Sequence, residues 1–256
     1  MKAGRFTEIP PKYRDKNGGF AMELREHIQR VQERVARAAI AAGRGPEEIT
    51  LCAATKVQTD DTIRAAIAAG IRVCGENRVQ ELTAHLAAGA YAGARVHFIG
   101  HLQTNKVKQV VGQVELLQSV DSLHLLQAVD RQADKLGLVQ DILLEVNIGG
   151  EESKTGCPLD RLDELAGAAG EFSHVRLRGL MAIPPISPSP GANRRYFARM
   201  YQLFIDMRGK MSDNQSDMDC LSMGMSADFE DAIAEGATLV RVGTALFGPR
   251  PPLGTR

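Results

Sequence analysis

The stretch ITLCAATKVQTDDTIRAAIAAG, residues 49–70, holds one complete strand-to-helix unit. Its opening run is β-branched, aliphatic or small, the composition of a strand covered on both faces. Lys56 ends that run. Thr59, Asp60 and Asp61 then supply a polar cap and early acidic charge for a helix that closes at Gly70. The same grammar returns in SADFEDAIAEG, residues 226–236. Between and around these two units the alternation repeats. Strands are predicted at Ile49–Ala54, Ile71–Cys74, Val96–Ile99, Val114–Val120, Val139–Val146, Val175–Met181, Met218–Leu221 and Thr238–Val242. Helical composition fills Thr59–Ala69, Arg78–Ala88, Thr104–Val111, Ser122–Leu136, Leu159–Ala169, Asn193–Met211 and Ser226–Glu235. Parallel neighbours need a right-handed crossover, so strands alternating with helices form a mostly parallel sheet. Eight such units in so short a chain predict a closed (β/α)8 barrel rather than an open doubly wound sheet.

Ahead of the first strand, Leu24, Ile28, Val31, Val35, Ala38 and Ala42 step by threes and fours, and Gly43 and Pro46 supply a stop. That is one amphipathic helix. Before it, Pro10, Pro11, Gly18 and Gly19 interrupt any period, so residues 1–18 read as a flexible extension and 19–256 as the barrel domain. The 256 residues carry 31 basic and 31 acidic side chains and are 44% apolar, an ordinary globular composition. The balance of charge excludes a general polyanion binder, since nucleic-acid affinity without sequence preference needs clustered Lys and Arg. No uncharged stretch reaches the ~20 apolar residues of a spanning helix, and the first residues lack the apolar segment of a secretory signal. A cytoplasmic protein with no membrane partner is expected. Cys52, Cys74, Cys157 and Cys220 are scattered without a Cys-x-x-Cys pair and read as buried free thiols, not as disulfides or metal ligands.

In such a barrel the working face is the carboxyl end of the strands. Lys56 stands there, at the end of an apolar strand, where its stem is walled by apolar neighbours and a neutral amine becomes accessible. A solvated strand-end lysine is the bland alternative. Around the seventh and eighth strand ends, Ser222-Met223-Gly224-Met225-Ser226 and Gly243-Thr244 are small or hydroxylated, which lets backbone N–H groups approach an anion. Ser226 also fits a plain helix cap. An amine and a phosphate cradle on one rim suit a ligand bearing an aldehyde and a phosphate, and pyridoxal 5′-phosphate is such a ligand. Arg241 shares a strand face with Gly243, so it faces the barrel interior. It either donates to the pyridine nitrogen or pairs with a residue such as Glu145. His97 and His101 lie in or beside a strand and do not share a helical face, which argues against zinc. GGEESKTG, residues 149–156, lacks the spacing of a phosphate-binding loop, and no G-x-G-x-x-G follows a strand.

Taken together, ITLCAATK, CGENRVQE, VHFIGHLQTNKVK, LLEVNIGGEESKTG, RGLMAIPP, LSMGMSADFEDAI and LVRVGTALFG resemble, in order, the pyridoxal phosphate homeostasis protein family. Its members are single-domain relatives of the alanine racemase N-terminal barrel. The resemblance implies that Lys56 carries the cofactor as a Schiff base, that Ser222, Gly243 and Thr244 hold its phosphate, that Arg241 faces its pyridine nitrogen, and that Asn77 belongs to the pocket. It extends neither to the extension nor to the loop Pro184–Pro190.

The resemblance further implies a non-enzymatic carrier that buffers intracellular vitamin B6, with pyridoxal-phosphate-dependent apoenzymes as candidate recipients. The alternative is an amino-acid racemase using Lys56 as base; the third reading is a barrel that has lost the cofactor. Two-base racemisation needs a second acid/base, which in true racemases is a tyrosine from a partner subunit's β domain. Tyr13, Tyr91, Tyr196 and Tyr201 are expected in the extension or in helices, so no second base is apparent. A chain lacking the racemase dimerisation domain is expected to be a monomer.

Overall fold

The computed structural model describes residues 19–151, 154–185, 189–211 and 218–249. Its eight parallel strands close in sequential order into one barrel. They are β1 Thr50–Ala54, β2 Val73–Glu76, β3 Arg95–Phe98, β4 Leu116–Val120, β5 Gln140–Val146, β6 Val175–Ala182, β7 Cys220–Ser222 and β8 Leu239–Val242. The α-helices are α1 Gly19–Ala41, α2 Asp60–Ala68, α3 Val79–Ala87, α4 Leu123–Leu136, α5 Leu162–Glu171, α6 Arg194–Met211, α7 Phe229–Ala234 and α8 Thr244–Phe247. The predicted barrel is therefore present. The segments called the extension, 1–18, and part of the loop Pro184–Pro190 lie outside the described residues.

Three local expectations are corrected. β2 starts two residues later than predicted and takes in Glu76, whose carboxyl is satisfied within the fold. The segment after β3 is a 3-10 helix, Thr104–Gln109, not an α-helix. Helix α7 begins at Phe229, because the Asp228 carboxylate accepts from Met225 N–H at 2.7 Å and holds residues 225–228 in a turn. Ser226 is thereby released from the capping role.

Strand alternation sorts the side chains into two layers. Leu51, Ala53, Cys74, Phe98, Leu117, Ile142, Leu144, Val240 and Val242 face outward against the helices. The inward positions carry a smaller apolar cluster of Cys52, Val73, Leu116, Leu143, Met181 and Leu239. Helix α1 lays Leu24, Ile28, Val31, Val35 and Ala39 onto α7, α8 and α2, and Arg34 of α1 forks onto the Glu230 carboxylate at 2.9 and 2.8 Å. At the amino-terminal mouth, Asp141 accepts from Arg176 and Arg178 at 2.7 Å each, so this buried charge is paired.

All four cysteines are free thiols, three of them buried. Burial pushes Cys74 up to about 12 and Cys157 to about 11, from an ordinary 9.0, and Cys220, a partly exposed residue whose thiol is nonetheless desolvated, also to about 12. In the unfolded chain they ionise first, so their contribution to stability is complete below pH 9.0 and is lost as pH rises toward those values. The denaturant midpoint is expected to fall between about pH 8.5 and about pH 10.5, and less steeply in Cys74→Ala. A flat profile across that interval would contradict the assignment.

Candidate functional site

Cys52, Ala54 and Lys56 occupy successive inward positions along β1 and its continuation, which brings Lys56 to the carboxyl-end mouth. The residue after it is unusual. Val57 is the one non-glycine residue with positive φ, +59°, among the described residues. A β-branched side chain rarely tolerates that conformation, so the turn stores strain that its surroundings must hold. The Val57 N–H is pinned by Glu81 Oε2 at 2.8 Å, and Arg78 holds Glu81 in turn at 3.2 Å. Below the turn, the buried Glu76 carboxyl accepts from Thr55 Oγ1 at 3.3 Å, from Tyr91 OH at 3.2 Å and from Asn77 N–H at 2.8 Å. Burial raises the Glu76 pKa, and the Asn77 N–H opposes it.

Lys56, Asn77, Arg241, Gly243 and Thr244 all line one cavity of about 380 Å³ at the carboxyl-end mouth. Asn77 is placed by close packing: a Cβ on Gly100 would lie 2.2 Å from the Asn77 carbonyl oxygen, so only glycine fits there. Its Oδ1 is buried with no hydrogen-bond partner among the described residues. Arg241 is 4% exposed. Its pKa is lowered, burial being the largest cause, yet a guanidinium stays protonated and can only donate. Its Nη2 donates to Ala182 O at 2.9 Å and its Nη1 to Ser222 Oγ at 2.5 Å. No ion pair with Glu145 forms among the described residues.

Ser222 is not brought to the cavity. It is 0% exposed, and its hydroxyl accepts from Arg241 and donates to Gln118 Oε1 at 2.7 Å. The hydroxyl at the wall is that of Ser226, which accepts from Gly243 N–H at 3.1 Å and Ala245 N–H at 3.3 Å. β7 ends at Ser222 with its side chain inward, and the four-residue advance to Ser226 crosses from barrel interior to rim.

Two further groups line the wall that the sequence offered only in other roles, Glu145 as an ion partner for Arg241 and His101 as a rejected zinc ligand. Glu145 is 4% exposed, accepts from Thr155 Oγ1 at 2.6 Å, and has its pKa raised chiefly by burial. His101 lines the same wall, with Nδ1 3.7 Å from Asp121 Oδ2. The signal for Glu145 was its place in the strand LLEV, where an inward charge needs a reason. Tyr91 falls in the turn after α3, not in a helix, and points away from the cavity toward Glu76; no tyrosine among the described residues lines the cavity. No metal-ligating cluster forms among the described residues. A ligand bearing an aldehyde and a phosphate fits the residues present: an amine at one side, small and hydroxylated residues at the other, a permanent donor within, and an unsatisfied acceptor on Asn77.

The profile of the alanine racemase N-terminal domain matches residues 24–251. Pyridoxal phosphate homeostasis proteins of Aquifex aeolicus and Pseudomonas aeruginosa are 42% and 40% identical over 229 and 227 residues. The alignments cover 90% and 89% of this chain and 99% and 96% of the relatives. Among solved structures, PipY of Synechococcus elongatus with pyridoxal phosphate bound superposes with TM-score 0.74 at 34% identity, covering 85% of this chain and 100% of PipY. Alanine racemase of Streptomyces lavendulae, 19% identical with TM-score 0.72, shares the fold over 91% of this chain and 58% of the racemase.

Proposed function

We propose a function from one premise: this chain belongs to the pyridoxal phosphate homeostasis family, which is built on the alanine racemase N-terminal barrel. It binds pyridoxal 5′-phosphate and acts in vitamin B6 homeostasis as a cytoplasmic, monomeric carrier that returns the cofactor to apoenzymes. Bound there, the cofactor would supply an aldehyde able to condense reversibly with an amine, releasing water. Lys56 brings that amine to the cavity, and the strained turn at Val57 fixes its direction. Ser226, Gly243 and Thr244 hold the phosphate, and Asn77 offers its lone acceptor. Arg241 would donate toward the ring nitrogen and, unable to give up a proton, would leave that nitrogen unprotonated and the ring a weak electron sink. Transamination and decarboxylation are thereby disfavoured.

The observation that supports this reading is the shared cavity of Lys56, Arg241 and the Ser226 loop, with no tyrosine on its wall among the described residues. One observation favours the rival racemase: Glu145, with its raised pKa, would suit an acid facing Lys56. Stereoinversion separates the two. The protein loaded with cofactor is expected to leave single enantiomers of alanine and other amino acids unchanged over hours, as judged by chiral chromatography. Inversion that disappears in Lys56→Ala would overturn the carrier reading.

A further inference from the structure

Four hydrogen bonds run through the barrel interior from the cofactor cavity to the opposite mouth. Arg241 Nη1 meets Ser222 Oγ at 2.5 Å, Ser222 Oγ meets Gln118 Oε1 at 2.7 Å, Gln118 Nε2 meets His97 Nδ1 at 2.9 Å, and His97 Nε2 meets Glu115 Oε2 at 3.2 Å. The chain crosses β8, β7, β4 and β3, and the residue just before β4. Glu115 and His97 line a separate cavity of about 260 Å³ at the amino-terminal mouth, together with Arg95, Asp141 and Arg178.

The direction of every bond follows from one end. A guanidinium only donates, so Ser222 Oγ accepts and must place its own hydrogen elsewhere. Gln118 therefore turns its carbonyl to Ser222 and its amide NH2 to His97. His97 Nδ1 accepts, Nε2 carries the ring proton, and the Glu115 carboxylate receives it. Barrel interiors are ordinarily filled by apolar layers, yet Gln118 and Ser222 are 0% exposed and His97 is 4% exposed. Each is satisfied by the next, and by little else. Without Gln118 the Ser222 hydroxyl loses its acceptor, and the Arg241 guanidinium is left with Ala182 O as its other anchor.

We propose that Gln118 and His97, neither of which lines the cofactor cavity, are positioning residues for Arg241: they fix through Ser222 the guanidinium that faces the cofactor ring. This rests on the reading of the cavity as a pyridoxal phosphate site. The alternative is an inert polar filling whose loss changes stability alone.

The test compares wild type with Gln118→Met, Gln118→Glu, Ser222→Ala and the Gln118→Met/Ser222→Ala double variant. The dissociation constant for pyridoxal phosphate and the absorption maximum of the bound cofactor are measured at fixed pH, and the ring-nitrogen shifts of His97 are recorded without cofactor. Gln118→Met removes both hydrogen bonds at similar volume and is expected to weaken binding about tenfold and to displace the absorption maximum. Ser222→Ala is expected to do the same, and the double variant no more than either, because the effects pass along one chain. Gln118→Glu can still accept from Ser222, so affinity returns to within about threefold of wild type. Its carboxylate faces His97 Nδ1, which becomes protonated on both nitrogens. Wild-type affinity and spectrum in Gln118→Met and Ser222→Ala would overturn the proposal, as would losses that simply add. If Gln118→Met does not fold, Ser222→Ala, which deletes a single oxygen, carries the comparison with Gln118→Glu. Absence of binding by wild type would sink the cofactor reading and this inference with it; binding by wild type with unaltered variants would sink the inference alone.

Discussion

Lys56→Ala is expected to leave the barrel intact and to abolish the visible Schiff-base band that forms when pyridoxal phosphate is added to wild type. Lys56 sits half-buried at the mouth, beyond the last residue of β1, and alanine there opens no hole in the packed layers. Its thermal transition should therefore stay within about 0.5 kcal/mol of wild type. Retention of cofactor should fall by about 100-fold or more, because the Ser226 loop and Arg241 then hold the ligand by non-covalent contacts only. Gel filtration of the loaded proteins measures this directly. Lys106→Ala and Lys108→Ala, on the 3-10 helix after β3, serve as controls and should change neither band nor retention. A full band in Lys56→Ala would move the amine elsewhere and dissolve the argument from the strand end.

Gly179→Ala carries the largest expected effect on stability. Gly179 has φ +147°, and a Cβ there would lie 1.8 Å from the Cys220 carbonyl oxygen, a backbone atom of the adjoining strand. No rotamer relieves that contact; β6 or β7 must move. The position is also where β5 and β6 change register, with Ile142 opposite Leu177 and Leu143 opposite Gly179, so Arg178 is the extra residue of a bulge. The bulge turns Arg178 toward Asp141 and Asp219, both of which it binds, and sets Met181 inward and Leu180 outward. Alanine is expected to cost at least about 3 kcal/mol or to prevent folding, as read by urea denaturation. A loss below about 1 kcal/mol would mean that the strands separate more easily than this packing implies.

Fold and site were unequally legible in the sequence. The barrel could be read because each unit repeats apolar strand, polar turn, capped helix and glycine, and Lys56 because an apolar strand ends on it. The inward facing of Arg241 followed from period-two alternation within β8, and Gly243 was picked out by its place just past the strand end. Ser222 and Ser226 could not be told apart, since both belong to one small-residue run and only the Asp228 turn decides which hydroxyl reaches the rim. The Gln118–His97 chain was invisible for a different reason. A single glutamine or histidine inside a strand carries no period of its own, and its partners come from strands far away in sequence. Glu81 and Val57 are likewise joined only by folding, through a backbone conformation that valine does not announce.

The most direct test of the central claim is borohydride reduction of the protein loaded with equimolar pyridoxal phosphate, followed by peptide mapping of the reduced adduct. Reduction fixes the cofactor to whichever amine holds it. The geometry predicts one labelled peptide, spanning the end of β1, with the adduct on Lys56 at near-unit stoichiometry. Label distributed over surface lysines, or no label at all, would contradict the assignment of the carboxyl-end cavity as the cofactor site.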